Sequence, residues 1–141
     1  MGISKGSAQW DGGFKDGKGI MKPAHAPEAL FSVSSRFEGQ QGSNPEELIG
    51  AALAGCFSMA LTVGLEKAGH KPVNVRTSAD VHLEKGAAGF AITGIDLTTQ
   101  ASVPGLDTAA FLAIAEDTKK NCPVSKALAA VPISLKASLA G

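Results

Sequence analysis

The chain has 141 residues, and its 13 Lys and Arg balance 13 Asp and Glu. One domain over residues 1–141 is expected, long enough to bury a core without staples. Zero net charge gives no field to recruit nucleic acid or an anionic membrane, and one Trp with no Tyr leaves little for base stacking.

The opening MGISKGSAQW has no apolar h-region, so a cytoplasmic rather than secreted protein is expected. Two cysteines far apart in sequence then sit in a reducing compartment, where a pair is more often catalytic than structural.

Residues 1–43 read as strands and turns. Lys15-Asp16-Gly17-Lys18 carries an Asp-Gly hairpin signal between residues 7–14 and 19–22, and PAHAPEA (23–29) is a proline-rich loop. Phe31, Val33 and Phe37 alternate with Ser32, Ser34, Arg36 and Glu38, which predicts a half-buried strand with Arg36 on its polar face.

NPEELIGAALAGCFSMALTVGLEKAG (44–69) predicts the central helix. Asn44 is the N-cap and Pro45 the first helical residue; Glu46 and Glu47 oppose the macrodipole, and Glu47 can fold back on the N-cap amide. Gly69 ends it. No charge lies between residues 48 and 65, and small residues crowd positions 50–55. A membrane span fits the length. The run is nevertheless rich in Ala and Gly, carries Ser58, Thr62 and Glu66 in line, and lacks basic flanks and interfacial aromatics. With no polar face from Leu48 to Phe57, a surface helix fails too. The expectation is a helix buried nearly all round, in a core or a subunit interface.

Beyond it, Val73, Val75, Ala79, Val81 and Leu83 share one face of a strand, and KGAAG (85–89) turns the chain. Phe90 and Ile92 lie on one parity of the next strand, whereas Ile95, Leu97, Ala101 and Val103 lie on the other, so a bulge is predicted near Gly94. Asp107 caps a helix to about Lys120, with Leu106 and Phe111 as a staple. Cys122-Pro123 starts a short helix with Cys122 as N-cap. An alternating strand over residues 131–139 finishes an α+β fold with antiparallel pairs.

Cys56 has a plain reading as a small buried hydrophobe. Cys122, at a helix start, is by local physics the more acidic thiol. Cys56 would need a cation to ionise; Arg36, held by Glu46 in a bidentate pair, could supply it, although a solvated Arg36 and a dipole-compensating Glu46 are the plain alternatives. Glu46 and Cys56 are separated by ~15 Å along one helix and project about 80° apart. Two copies of the helix across a twofold axis could bring both to one centre, which points to a homodimer with a shared site. His25, His70 and His82 show no metal-ligand spacing, and nucleotide-loop and GxSxG signatures are absent.

NPEELIGAALAGCFSMAL (44–61), AGFAIT (88–93), VPGLD (103–107) and CPVSKAL (122–128) together resemble the osmotically inducible OsmC/Ohr superfamily, more closely its OsmC branch. The resemblance implies an OsmC-like fold: antiparallel sheets around a long buried central helix, in an intertwined homodimer. It also implies a thiol-dependent peroxidase for organic hydroperoxides. Cys56 then matches the peroxidatic thiol, Cys122 the resolving thiol, Glu46 the carboxylate of the PEE segment, and Arg36 in RFEG the arginine that steadies the thiolate. Gly55 departs from the usual Ala.

This assignment reverses the local preference for Cys122 as the attacking sulfur. The expected cycle passes through a Cys56 sulfenic acid and a Cys56–Cys122 disulfide, recycled by an external dithiol, for which the resemblance suggests a lipoyl group or lipoylated protein. It uses no metal or flavin cofactor. A pocket including Phe57 and Met59 is expected to prefer organic peroxides. The alternative is a redox sensor or stress-response binding protein using the same cysteines.

Overall fold

The computed structural model describes residues 2–140. Two compact units divide the chain, Met1–Leu48 and Ile49–Gly141.

In the first unit, β1 (Gly6–Asp11) pairs antiparallel with β2 (Lys18–Pro23), and β2 with β3 (Ala29–Phe31). The predicted hairpin forms, but Asp11 faces Lys18, so residues 12–17 make a wider loop than an Asp-Gly pair would. The strand predicted through Arg36 ends at Phe31. Val33–Phe37 is a short helix, α1, instead. Local hydrogen bonds decide it: the Ser35 amide donates to the Ser32 hydroxyl at 3.1 Å, and the Ser32 amide to the Ser35 hydroxyl at 2.8 Å. That reciprocal box starts a helix, and a short apolar alternation is too weak to oppose it.

The central helix, α2 (Pro45–Lys67), has the predicted ends. The Glu47 amide donates to Asn44 Oδ1 at 2.8 Å, while the Glu47 carboxylate takes the Ser43 hydroxyl at 2.8 Å rather than the N-cap amide. At the other end the His70 amide reaches back to the Leu65 carbonyl and the Gly69 amide to Glu66, both at 2.9 Å. This closure requires the left-handed backbone that Gly69 adopts, with φ of 88°.

In the second unit the sheet order is β4-β5-β6, from β4 (Asn74–Gly86), β5 (Gly89–Ser102) and β6 (Ile133–Leu139). The β4–β5 pair carries the expected bulge: His82 faces Gly94 and Leu83 faces Ile92, which leaves Thr93 over. The β5–β6 pair corrects the antiparallel expectation, for it is parallel. Helices α3 (Thr108–Asn121) and α4 (Pro123–Ala127) form the crossover, returning the chain to start β6 in the same direction as β5.

Leu53, Phe57, Leu61 and Leu65, spaced by four, are fully buried with Ile95, Leu97, Ala101, Phe111 and Ala115. Each of the Leu, Ile and Phe side chains contributes ~1.5–3 kcal/mol. Gly64 lets α3 come close, since a Cβ there would stand 3.0 Å from Ile114 Cγ2. By length and composition α2 could cross a bilayer, with a mean hydropathy of 2.0; its Leu-Phe-Leu-Leu stripe is instead core. The expectation of burial nearly all round does not hold within one chain. Ala51, Ala52 and Gly55 are exposed, as are Met59 (75%) and Val63 (50%).

A chain of hydroxyls pins α2 to the sheet. Ser58 Oγ donates to Thr77 Oγ1 at 2.8 Å, Thr77 and Thr99 share a bond of 2.9 Å, and Thr99 donates to the Arg76 carbonyl at 3.2 Å. Thr77→Val strands the Ser58 hydroxyl and is expected to cost about 1–3 kcal/mol in urea unfolding. An unchanged midpoint would remove the hydroxyls from the account of how α2 is held.

Candidate active site

Two elements deliver the cysteines. Cys56 sits on α2 beside Phe57, on the flank of the buried stripe, and remains partly exposed. Cys122 is placed where two helices meet. Its amide donates to the Thr118 carbonyl at 2.9 Å to finish α3, and its carbonyl accepts from the Lys126 amide at 3.0 Å to begin α4. Pro123 at the first helical position makes the break sharp. Cys122 is 0% exposed, and the two sulfurs stand 2.8 Å apart as free thiols.

The surroundings differentiate them. Burial, then hydrogen bonding to Cys122, pushes the Cys56 thiol above its ordinary value. Burial also opposes charge on Cys122, but hydrogen bonding from Cys56 and from the Ser125 and Val124 amides outweighs it and draws that thiol down. The Val124 amide favours charge on both sulfurs. The helix start therefore acts as the sequence expectation for Cys122 says it should. Val124 and Ser125 are the contributors that sequence reasoning passed over. The available signal was position: Ser125 stands three residues after the N-cap, where a capping box places its polar residue.

Arg36 and Glu46 meet as predicted. Arg36 Nε donates to Glu46 Oε1 at 3.0 Å and Nη2 to Oε2 at 2.8 Å, and Glu46 is 7% exposed. Ser35 prepares this contact from α1, its hydroxyl donating to the Ser43 carbonyl at 2.7 Å just before α2 starts. Gly42 is needed there, with φ of 130° and a missing Cβ that would lie 3.0 Å from Ser35 Cβ. The guanidinium also lies 5.3 Å from the centre of the Phe37 ring. Beside it is an aromatic pocket of about 270 Å³, lined by Trp10, Phe14, Phe31 and Phe37. Phe57, expected to line an apolar pocket with Met59, is instead fully buried in the core of its own chain.

The histidines form no second centre. His82 Nε2 lies 2.7 Å from Asp96 Oδ2, and Ser134 donates to Oδ1 of the same carboxylate at 2.5 Å, so serine and histidine each take one oxygen of Asp96 instead of relaying a proton in line. The Asp96 hydrogen bond raises the His82 pKa. Among the described residues no three His, Cys, Asp or Glu side chains converge as metal ligands do.

Two unbonded thiols in near contact at a helix start define a thiol redox centre. A family model for OsmC-like protein matches residues 38–136. The chain is 48% identical over 128 residues to Peroxiredoxin OsmC of Escherichia coli (strain K12), covering 89% of this chain and 90% of that protein; the Shigella flexneri protein matches equally. An OsmC-like protein of Mycoplasma pneumoniae has the same fold, with a TM-score of 0.79 at 12% identity over 99% of each chain. So does the organic hydroperoxide resistance protein OhrB of Bacillus subtilis, with a TM-score of 0.71 at 23% identity over 96% of this chain and 98% of that one. This chain belongs to the OsmC-like protein family, and it is a thiol-dependent peroxidase.

The sulfurs are expected to titrate as a pair. In the reduced protein, thiolate absorbance at 240 nm should rise in two steps, one below the ordinary thiol value and one above it. Cys122→Ser should abolish the lower step. A single midpoint near ~8.5, the free-cysteine value, would contradict the inequality.

Proposed function

We propose that this peroxidase reduces organic hydroperoxides at Cys56 and resolves the product with Cys122. The observation that carries the reading is the 2.8 Å separation of two free sulfurs. Cys122, the more acidic sulfur, first loses its proton to solvent; its thiolate then takes the Cys56 proton across that gap, and the Cys56 thiolate attacks the terminal peroxide oxygen. The O–O bond breaks, the alcohol leaves with a proton, and Cys56 becomes a sulfenic acid. Cys122 then displaces the sulfenic oxygen as water, and the disulfide stops further oxidation. Two electrons have reached the peroxide, and an external dithiol, which we take to be lipoyl-like, restores them. No step in this balance calls for a metal or flavin.

We assign Arg36 as the cation that favours the Cys56 thiolate, with Glu46 fixing its orientation. The fork geometry of the pair supports this. We expect a substrate with an apolar group rather than hydrogen peroxide. The family match over residues 38–136 crosses from one compact unit into the other, which supports reading both as one domain. We infer a cytoplasmic homodimer, with neither nucleic acid nor membrane as partner. The exposed Ala51, Ala52, Gly55, Met59 and Val63 face of α2 is small and apolar enough to receive a second copy.

With cumene hydroperoxide and dithiothreitol, Cys56→Ser should lose turnover, whereas Cys122→Ser should oxidise once without forming the intramolecular disulfide. Turnover surviving in Cys56→Ser would reverse the roles. Arg36→Ala should slow Cys56 oxidation about 10- to 100-fold, the loss of a charge-assisted contact of ~1.5–3 kcal/mol. An unchanged rate would relieve Arg36 of its role.

Gly55 offers a test of assembly, since a side chain there meets nothing within 4 Å in its own chain. Gly55→Trp should leave the helical circular dichroism unchanged but yield a monomer in sedimentation, where the parent chain is a dimer. A monomeric parent would overturn the inferred dimer.

A further inference from the structure

Ser125 is 6% exposed, and its hydroxyl closes no hydrogen bond in the resting geometry. A buried hydroxyl without a partner is costly, and alanine would fill the same place in α4 without that cost. Its presence therefore calls for a state in which the bond is made. The residue lies on the first turn of α4, three positions beyond N-cap Cys122. Position N3 is where a side chain can turn back on the cap.

We propose that Ser125 is a positioning residue for the resolving sulfur: its hydroxyl donates to Cys122 Sγ when that sulfur is anionic, and so makes Cys122 the sulfur released on reduction. The inference rests on the Cys56–Cys122 disulfide proposed above and adds which sulfur the reductant attacks. Two observations agree. Cys56 is partly exposed while Cys122 is buried, so Cys56 offers the easier approach. The Ser125 and Val124 amides lower the Cys122 pKa, and the sulfur of lower pKa leaves faster. The other titratable groups near Cys122 are Cys56 itself and, lining the groove between α2 and α3, Lys67 and Asp117.

The reductive half then runs as follows. One thiolate of the dithiol attacks Cys56 Sγ, forming a mixed disulfide, while the bond to Cys122 breaks and its electron pair stays on Cys122 Sγ. The second thiolate attacks the reductant's own sulfur in that mixed disulfide. Cys56 is released as thiolate, the dithiol becomes a cyclic disulfide, and its two protons pass to the cysteine pair and solvent.

The test uses the full chain with Ser125→Ala and Ser125→Thr. After one turnover with cumene hydroperoxide, the oxidised protein is mixed with dithiothreitol, acid-quenched and read by mass spectrometry. Ser125→Ala should reduce about ten-fold more slowly, and about ten-fold less of its Cys122 should be thiolate at a fixed pH, followed at 240 nm. Ser125→Thr should restore both, which a merely structural role would not require. Quenching during reduction by 2-mercaptoethanol should trap the adduct on Cys56. An adduct on Cys122, or a Ser125→Ala protein that is reduced and titrates like its parent, would overturn the inference alone. Failure of the parent protein to form the disulfide would overturn the proposed function with it. Should Ser125→Ala not fold, the site of the trapped adduct in the parent chain still decides.

Discussion

The closeness of the two sulfurs depends on the seating of α2. Cys56 has no hold of its own on the sheet. Its position follows from the neighbouring Leu53, Phe57, Leu61 and Leu65, which are buried against β5 and α3, and from the hydroxyl chain that runs from Ser58 through Thr77 to Thr99. A one-residue slip would turn the thiol by about 100° and move it ~1.5 Å along the axis. A gap of 2.8 Å does not survive such an error. The reactive centre is thus a by-product of apolar packing, with a few polar bonds setting the register.

The second sulfur is held by the opposite strategy. Cys122 occupies a break in the backbone, at the end of α3 and the beginning of α4, where unpaired amides are available. One thiol comes from an apolar helix that discourages charge, the other from a helix start that welcomes it. Acidity and attack therefore need not belong to the same sulfur. Across so short a gap, the more acidic sulfur, once ionised, can serve as base for its neighbour, which reconciles a neutral resting Cys56 with the attacking role proposed for it.

The first unit shows where reading a linear pattern fails. Residues 31–38 alternate well enough to look like a strand, yet Ser32 and Ser35 complete two short hydrogen bonds that only a helical turn allows. The consequence reaches the candidate site, because α1 and the Ser35–Ser43 bond put Arg36 in reach of buried Glu46. The ion pair was legible from residue types and family resemblance; the element carrying Arg36 was not. Similarly, apolar character all round α2 pointed to complete burial, but composition cannot tell the face that meets its own core from the face left exposed.

By itself the sequence determined the elements with strong local signals: the capped and glycine-ended α2, the β4–β5 hairpin with its bulge, the Asp107 and Cys122 helix starts, and the pair of cysteines as the chemical candidates. These follow from hydrogen bonds and periodicities spanning a few residues. Only the tertiary structure decided that β6 runs parallel to β5, that Phe57 is core rather than pocket, and that the Cys122 sulfur lies against Cys56. Each depends on groups far apart in the chain arriving together, and no local pattern records where they meet.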